Sequence, residues 1–178
     1  MATLLVPVDF SSCAPLLLEE ATRFARAFDA SILLVHVCEP PRGVPAEARV
    51  IEPGSDTVLT VRALLQRDAE AHLAPLLAWL KRVGVPAEAT VRWGRVADQV
   101  LEAARERGAR MIVMGTHGRT GVARVTLGSI AEDVVRHAEV PVVTIRTKHR
   151  PDCAAASCAV CDQGRSSVEE ALDAEADG

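Results

Sequence analysis

Five short apolar runs alternate along this chain with longer stretches whose apolar residues recur every three or four positions. The runs, residues 3–8, 32–37, 87–93, 109–114 and 142–145, have the length and composition of strands buried on both faces. The stretches between them read as amphipathic helices. The first sets Leu16, Leu17, Ala21, Phe24, Ala25 and Phe28 on one face, behind the capping hydroxyls of Ser11 and Ser12 and with Pro15 in its first turn. The second covers residues 58–82 through Val61, Leu64, Leu65, Ala69, Leu73, Leu76, Leu77 and Leu80, and Pro75 is expected to kink it. The third, residues 96–107, turns Val96, Val100, Leu101 and Ala104 inward. The fourth runs from Ser129 to about His137, with Ile130, Val134 and Val135 over charged Glu132, Asp133 and Arg136. Gly84 and Gly108 stop helices, Gly94 turns the chain, and residues 40–55 keep no period and read as a surface loop.

Such alternation specifies an α/β fold, a parallel sheet with helices on both faces and right-handed crossovers. Ligands in these sheets sit outside the carboxyl ends of the strands, where the strand order reverses. Asp9, Val37, Gly94 and Gly115 all fall at those ends.

The richest of them follows the fourth run. Met111-Ile112-Val113-Met114 stops at Gly115, and the glycines then fall as Gly115-x2-Gly118-x9-Gly128-Ser129, ahead of the fourth helix. Glycines let the backbone approach a ligand without Cβ obstruction, and their amides can point into a common concavity that suits an anion, phosphate foremost. The N–H groups and dipole at the helix start add to the same site. The Ser129 hydroxyl has two uses open to it, capping the helix or bonding a phosphate oxygen. A single glycine pair after a strand is ordinary in a βα turn; the whole pattern, set between strand and helix, is not.

Composition narrows the reading further. With 178 residues, 49% of them hydrophobic and only 3% aromatic, the chain can bury one core built from Val, Leu, Ile and Ala. A net charge of −4, with arginines interspersed among acids, leaves no basic field to hold nucleic acid. No apolar segment approaches the roughly 20 residues a membrane helix requires. The opening residues lack a cationic region and a cleavage site, so they read as a strand and the expected location is cytoplasmic. The five cysteines are expected to be thiols.

On these residues the chain resembles the universal stress protein family, specifically its ATP-binding subgroup, whose signature G-x2-G-x9-G-[S/T] is complete here. The matching features beside it are Pro7-Val8-Asp9 with Ser11 beyond, Val35-His36-Val37, Gly94 with Val96 and Val100, and Pro141-Val142-Val143-Thr144-Ile145. The resemblance covers about residues 2–147, so the expected division is a domain over 1–147 and a tail over 148–178. It implies a five-stranded parallel sheet in the order 3-2-1-4-5, Rossmann-like and akin to the adenine nucleotide α-hydrolases, and a homodimer formed through the last strand.

It also implies a nucleotide site. Asp9 would meet ribose hydroxyls or a Mg²⁺ shared with the phosphates, where its plainer role is to cap the next helix. Pro7, Val8 and Val37 would shape the adenine pocket, the Val37 backbone offering the base its hydrogen bonds, although as strand residues they need no ligand. Met114 leads into the cradle, Gly115, Gly118, Gly128 and Ser129 would take the phosphates, and Ile130 would line the ribose or base. His117, Arg119 and Arg124 lie in the loop and are able to counter phosphate charge, though exposed loop residues are commonly inert. Cys13, near a helix N-terminus, has no His or Asp spacing that marks a nucleophile. His72 and His137 read as surface residues, His36 as part of the site's rim, and Trp79 and Trp93 as packing.

Beyond the domain, Cys153-x4-Cys158-x2-Cys161 with His149 supplies four soft ligands, enough for tetrahedral Zn²⁺. A fourth cysteine for an iron–sulfur cluster is missing, and the acidic end reads as a flexible tail. The function implied by the resemblance is an ATP-binding regulator in a stress response. Without a Gly-Lys-Ser segment or an evident general base, the loop predicts binding with slow hydrolysis at most. The alternative is a non-nucleotide scaffold whose Cys/His tail binds zinc or senses redox state. An enzyme of the α-hydrolase type is disfavoured, because Asp9-Phe10-Ser11-Ser12 stands where those enzymes carry a glycine-serine loop.

Overall fold

The computed structural model describes residues 1–11, 14–39, 43–51, 57–116 and 128–146. Ser12, Cys13, His117, Gly118, Arg119, Arg124 and the tail with His149, Cys153, Cys158 and Cys161 lie outside the described residues. The chain runs β1 (Ala2–Pro7), α1 (Ala14–Ala27), β2 (Ala30–Cys38), β3 (Arg49–Ile51), β4 (Val58–Thr60), α2 (Val61–Arg82), β5 (Ala87–Trp93), α3 (Val96–Glu106), β6 (Met111–Gly115), α4 (Ser129–His137) and β7 (Val142–Ile145).

Five of these strands form one parallel sheet in the order β5-β2-β1-β6-β7, which is the expected 3-2-1-4-5 when the short β3 and β4 are set aside. Period-two alternation along the central strands divides the core into two layers. Leu4, Val6, Val8, Ile32 and Leu34 face Leu17, Leu18 and Ala21 of α1 and Leu73, Leu76, Trp79 and Leu80 of α2. Leu5, Leu33, Val35, Ile112 and Met114 face Ala97, Val100, Ala103 and Ala104 of α3 and Ala131 and Val134 of α4. Strands covered on both faces must be apolar throughout, which is why their sequences do not alternate.

Three expectations need correction. Residues 40–55 are not all loop, and α2 does not begin at 58: Arg49–Ile51 pairs antiparallel with Val58–Thr60, Ile51 opposite Val58. The β-branched residues there suit a pleated ribbon, and the Thr60 hydroxyl accepts from Ala63 N at 3.1 Å, fixing the helix start. Pro75 lies inside α2, which continues to Arg82 with buried Leu73, Leu76, Trp79 and Leu80 around it. Phe28 faces outward, 54% exposed, because α1 ends at Ala27; its ring lies parallel to that of Phe24, and Leu18 takes the buried place instead. Val135 of α4 is likewise exposed. Among the described residues, no helix is long and apolar enough to cross a membrane.

Candidate functional site

β1 lies between β2 and β6, so the crossovers leave it in opposite directions and open a crevice above its carboxyl end. There the structure has a cavity of about 460 Å³, within the range of small-molecule pockets. Every predicted site residue that is described borders it: Pro7, Val8, Asp9, Val37, Met114, Gly115, Gly128, Ser129 and Ile130.

One wall is main chain. β6 hands over to Thr116, whose N–H donates to the Ile145 carbonyl at 2.9 Å, while its own carbonyl accepts from Gly128 N at 2.8 Å. Residues 116 and 128 are thereby pinned together, and the Gly128 N–H is spent closing the loop rather than facing a ligand. The first bond within α4 runs from Glu132 N to the Gly128 carbonyl at 2.9 Å. The N–H groups of Ser129, Ile130 and Ala131 precede that bond and so have no intrahelical partner, and all three residues border the cavity. Gly128, not Ser129, is the N-cap, so the capping role for the Ser129 hydroxyl is not realised. A row of amides at a helix N-terminus is a setting for an anion.

The floor is built by β1 and β2. Pairing between them ends at Pro7 opposite Val35, and Val8 N donates to the Val35 carbonyl at 2.9 Å. β2 continues to Cys38, and backbone groups alternate sides along a strand. The main chain of Val37, two residues past Val35, therefore turns toward the same side, beyond the last β1 pair. Asp9 follows β1, and its Oδ1 accepts from Ser11 N at 3.1 Å, so the carboxylate also shapes the turn into α1. Asp9 thus braces the turn ahead of α1, rather than capping that helix, and borders the cavity.

Sequence reasoning missed the opposite wall. Phe10, Cys38, Glu39, Leu65 and Asp68 border the cavity as well, the last two from α2. Leu65 and Asp68 are three apart and share a helix face, but only the packing of α2 reveals which face looks inward. Phe10 has φ +55° and its ring stacks on His36 at 4.3 Å and on His72 at 5.0 Å between centroids. His36 borders the cavity, whereas His72 is exposed and meets it only through its stack on Phe10. Cys38 Sγ donates to the Leu65 carbonyl at 3.8 Å. Burial pushes the Cys38 thiol above its ordinary value, and the negative charge of Asp68 adds to the shift, so the thiol form is favoured over the thiolate. Among the described lining residues the charged side chains are Asp9, Glu39 and Asp68, all carboxylates. Among the described residues no cluster of His, Cys, Asp and Glu is arranged to hold a metal ion.

Comparison with known proteins places this geometry. The model of the universal stress protein family matches residues 1–146. A universal stress protein of Thermus aquaticus is 37% identical over 145 residues, covering 81% of this chain and 98% of that one. The solved structure of MJ0577 from Methanocaldococcus jannaschii, 23% identical, superposes with a TM-score of 0.69 over 84% of this chain and 98% of its own. A universal stress protein of Archaeoglobus fulgidus, solved in complex with dAMP, shares the fold at a TM-score of 0.59 and 23% identity, over 82% of this chain and 98% of its own. The chain belongs to the universal stress protein family.

Proposed function

We propose that this protein binds an adenine nucleotide in the crevice above β1, that the nucleotide is ATP with Mg²⁺, and that the bound form acts as a regulator in a stress response. The observation that carries the reading is the shape of one cavity. It joins a row of amides without an intrahelical partner at the start of α4 to the backbone edge of Val37, with Asp9 between strand and turn. In this reading the amides of 129–131 and the Gly115–Gly118 segment take the phosphates. Asp9 meets the ribose and offers oxygen to the cation, and Val37 with Pro7 and Val8 takes the base. The charged side chains of the described lining are all carboxylates, so main-chain donors, the cation and the loop residues His117, Arg119 and Arg124 must offset the phosphate charge.

The dAMP complex of a protein sharing the fold agrees with an adenine ligand, and the complete glycine signature favours the triphosphate. Hydrolysis is proposed to be slow at most, because no described side chain at the amide wall is a general base. A dimer through the edge strand β7, and an independent tail beyond residue 147, complete the proposal. Calorimetric titration of ATP, AMP and GTP into the purified chain tests it. Micromolar ATP binding, worth about 8 kcal/mol, is expected. Gly118→Val should abolish that binding without unfolding the chain, since a β-branched residue fills the phosphate space. Equal, weak heats for all three nucleotides would refute the site.

A further inference from the structure

The helix that forms the side-chain wall is anchored unevenly. The C-terminal half of α2 drives Leu73, Leu76, Trp79 and Leu80 into the core, whereas over residues 61–68 the buried side chain is Val61 alone. Yet Leu65 and Asp68, which border the cavity, belong to that less buried opening stretch, ahead of buried Ala69. It is joined to the sheet by individual contacts: Cys38 Sγ to the Leu65 carbonyl, Trp93 Nε1 to Gln66 Oε1 at 3.3 Å, and the Arg62 guanidinium over the Trp93 ring at 4.6 Å. Segments with few buried apolar contacts open at low free energy.

One turn beyond Asp68 stands a different kind of tie. Phe10, in the turn between β1 and α1, lies between His36 of β2 and His72 of α2, with interplanar angles of 26° and 30°. Each imidazole is itself fixed, His36 Nδ1 on the Val8 carbonyl at 2.8 Å and His72 Nδ1 on the Asp68 carbonyl at 2.8 Å. Phe10 holds φ at +55°, in the left-handed region that bulky L-residues avoid. Such a conformation persists where the surroundings over-determine it, and here a ring on either face does so. The three rings run from β2 to α2, and two of them, His36 and Phe10, border the cavity.

We propose that Phe10 is the latch of a movable wall: its stack between His36 and His72 holds the first half of α2 closed over the cavity and so sets how long a bound ligand stays. The latch rests on the ring geometry; its effect on retention rests on the nucleotide reading above. Hydrogen exchange and ATP titration of the full chain test both, using wild type, Phe10→Leu, His72→Ala and His72→Phe. Amides of residues 65–72 should exchange about tenfold faster in Phe10→Leu and His72→Ala and return to wild-type protection in His72→Phe, which restores a ring. ATP affinity should fall about tenfold in the first two variants and recover in the third. Unchanged exchange over 65–72, or acceleration spread evenly over β1 and β2 as well, overturns the latch. Faster exchange at 65–72 with ATP affinity unaltered removes the role in retention. Faster exchange in a chain whose wild type binds no ATP sinks the proposed function and leaves the latch standing.

Discussion

The two walls of the cavity meet a ligand by different means. On the α4 side the structure offers main chain: the amides of Ser129, Ile130 and Ala131, held in place because Gly128 is pinned to Thr116 and Thr116 to Ile145. On the α2 side it offers side chains, Leu65 and Asp68 together with Cys38, Glu39 and Phe10. A main-chain wall is rigid and indifferent to most substitutions except those that add bulk. A side-chain wall can be altered residue by residue without disturbing the sheet. The first is suited to a fixed recognition of charge, the second to adjustment of affinity and exchange.

Gly128→Val should break that contrast hardest. Gly128 has φ −61° and ψ 152°, which any L-residue adopts, so the change tests space rather than strain. ATP affinity is expected to fall more than a hundredfold while the melting temperature stays close to wild type, both measurable on one preparation. Ser129→Ala is milder. It removes a hydroxyl that does not cap the helix but leaves the amides, and about a tenfold weakening by calorimetry is expected if that hydroxyl bonds a phosphate oxygen. No change would assign the grip on the anion to the amides alone.

On the other wall, Asp68→Asn should move ATP affinity less than threefold but change the chemistry of Cys38. Burial raises the thiol pKa first and Asp68 adds to it, so removing that charge favours the thiolate and lets alkylation begin at lower pH. Peptide mapping after iodoacetamide treatment across a pH series reads this at Cys38, and bound ATP should slow the reaction in both proteins. An unaltered pH profile would mean that Asp68 does not face the thiol in solution.

The smallest effect belongs to a region outside both walls. Arg92 of β5 pairs with Glu106 at 2.6 Å and with Glu102 at 3.2 Å on α3, and its hydrogen bond to Glu106 holds that carboxyl below its ordinary value of 4.5. A lowered carboxyl pKa contributes stability above the ordinary value that is lost as pH falls through the folded one. Arg92→Ala should therefore lower the melting temperature by about 2 °C or less at neutral pH, because the carboxylates it pairs with are exposed, and the difference from wild type should shrink in acid.

Much of the main-chain wall was legible beforehand, because glycine spacing constrains the backbone directly. Gly115, Gly128 and Ser129, together with Pro7, Val8, Asp9 and Val37 at the strand ends, required only that the strands be located and their carboxyl ends recognised. The side-chain wall was not legible. Leu65 read as one more position on an amphipathic helix, Cys38 as one of five expected thiols and His72 as a surface residue. What the linear chain determined was the alternation of strand and helix, the apolar identity of each strand, the place of the glycine loop and the absence of a basic field. Those depend on local periodicity and composition alone. Only the tertiary structure decided that α2 starts after a hairpin, that its inward face reaches the crevice, and that Phe10 closes a stack between two histidines. Each of those depends on the relative placement of segments dozens of residues apart, and no pattern within a single segment encodes it.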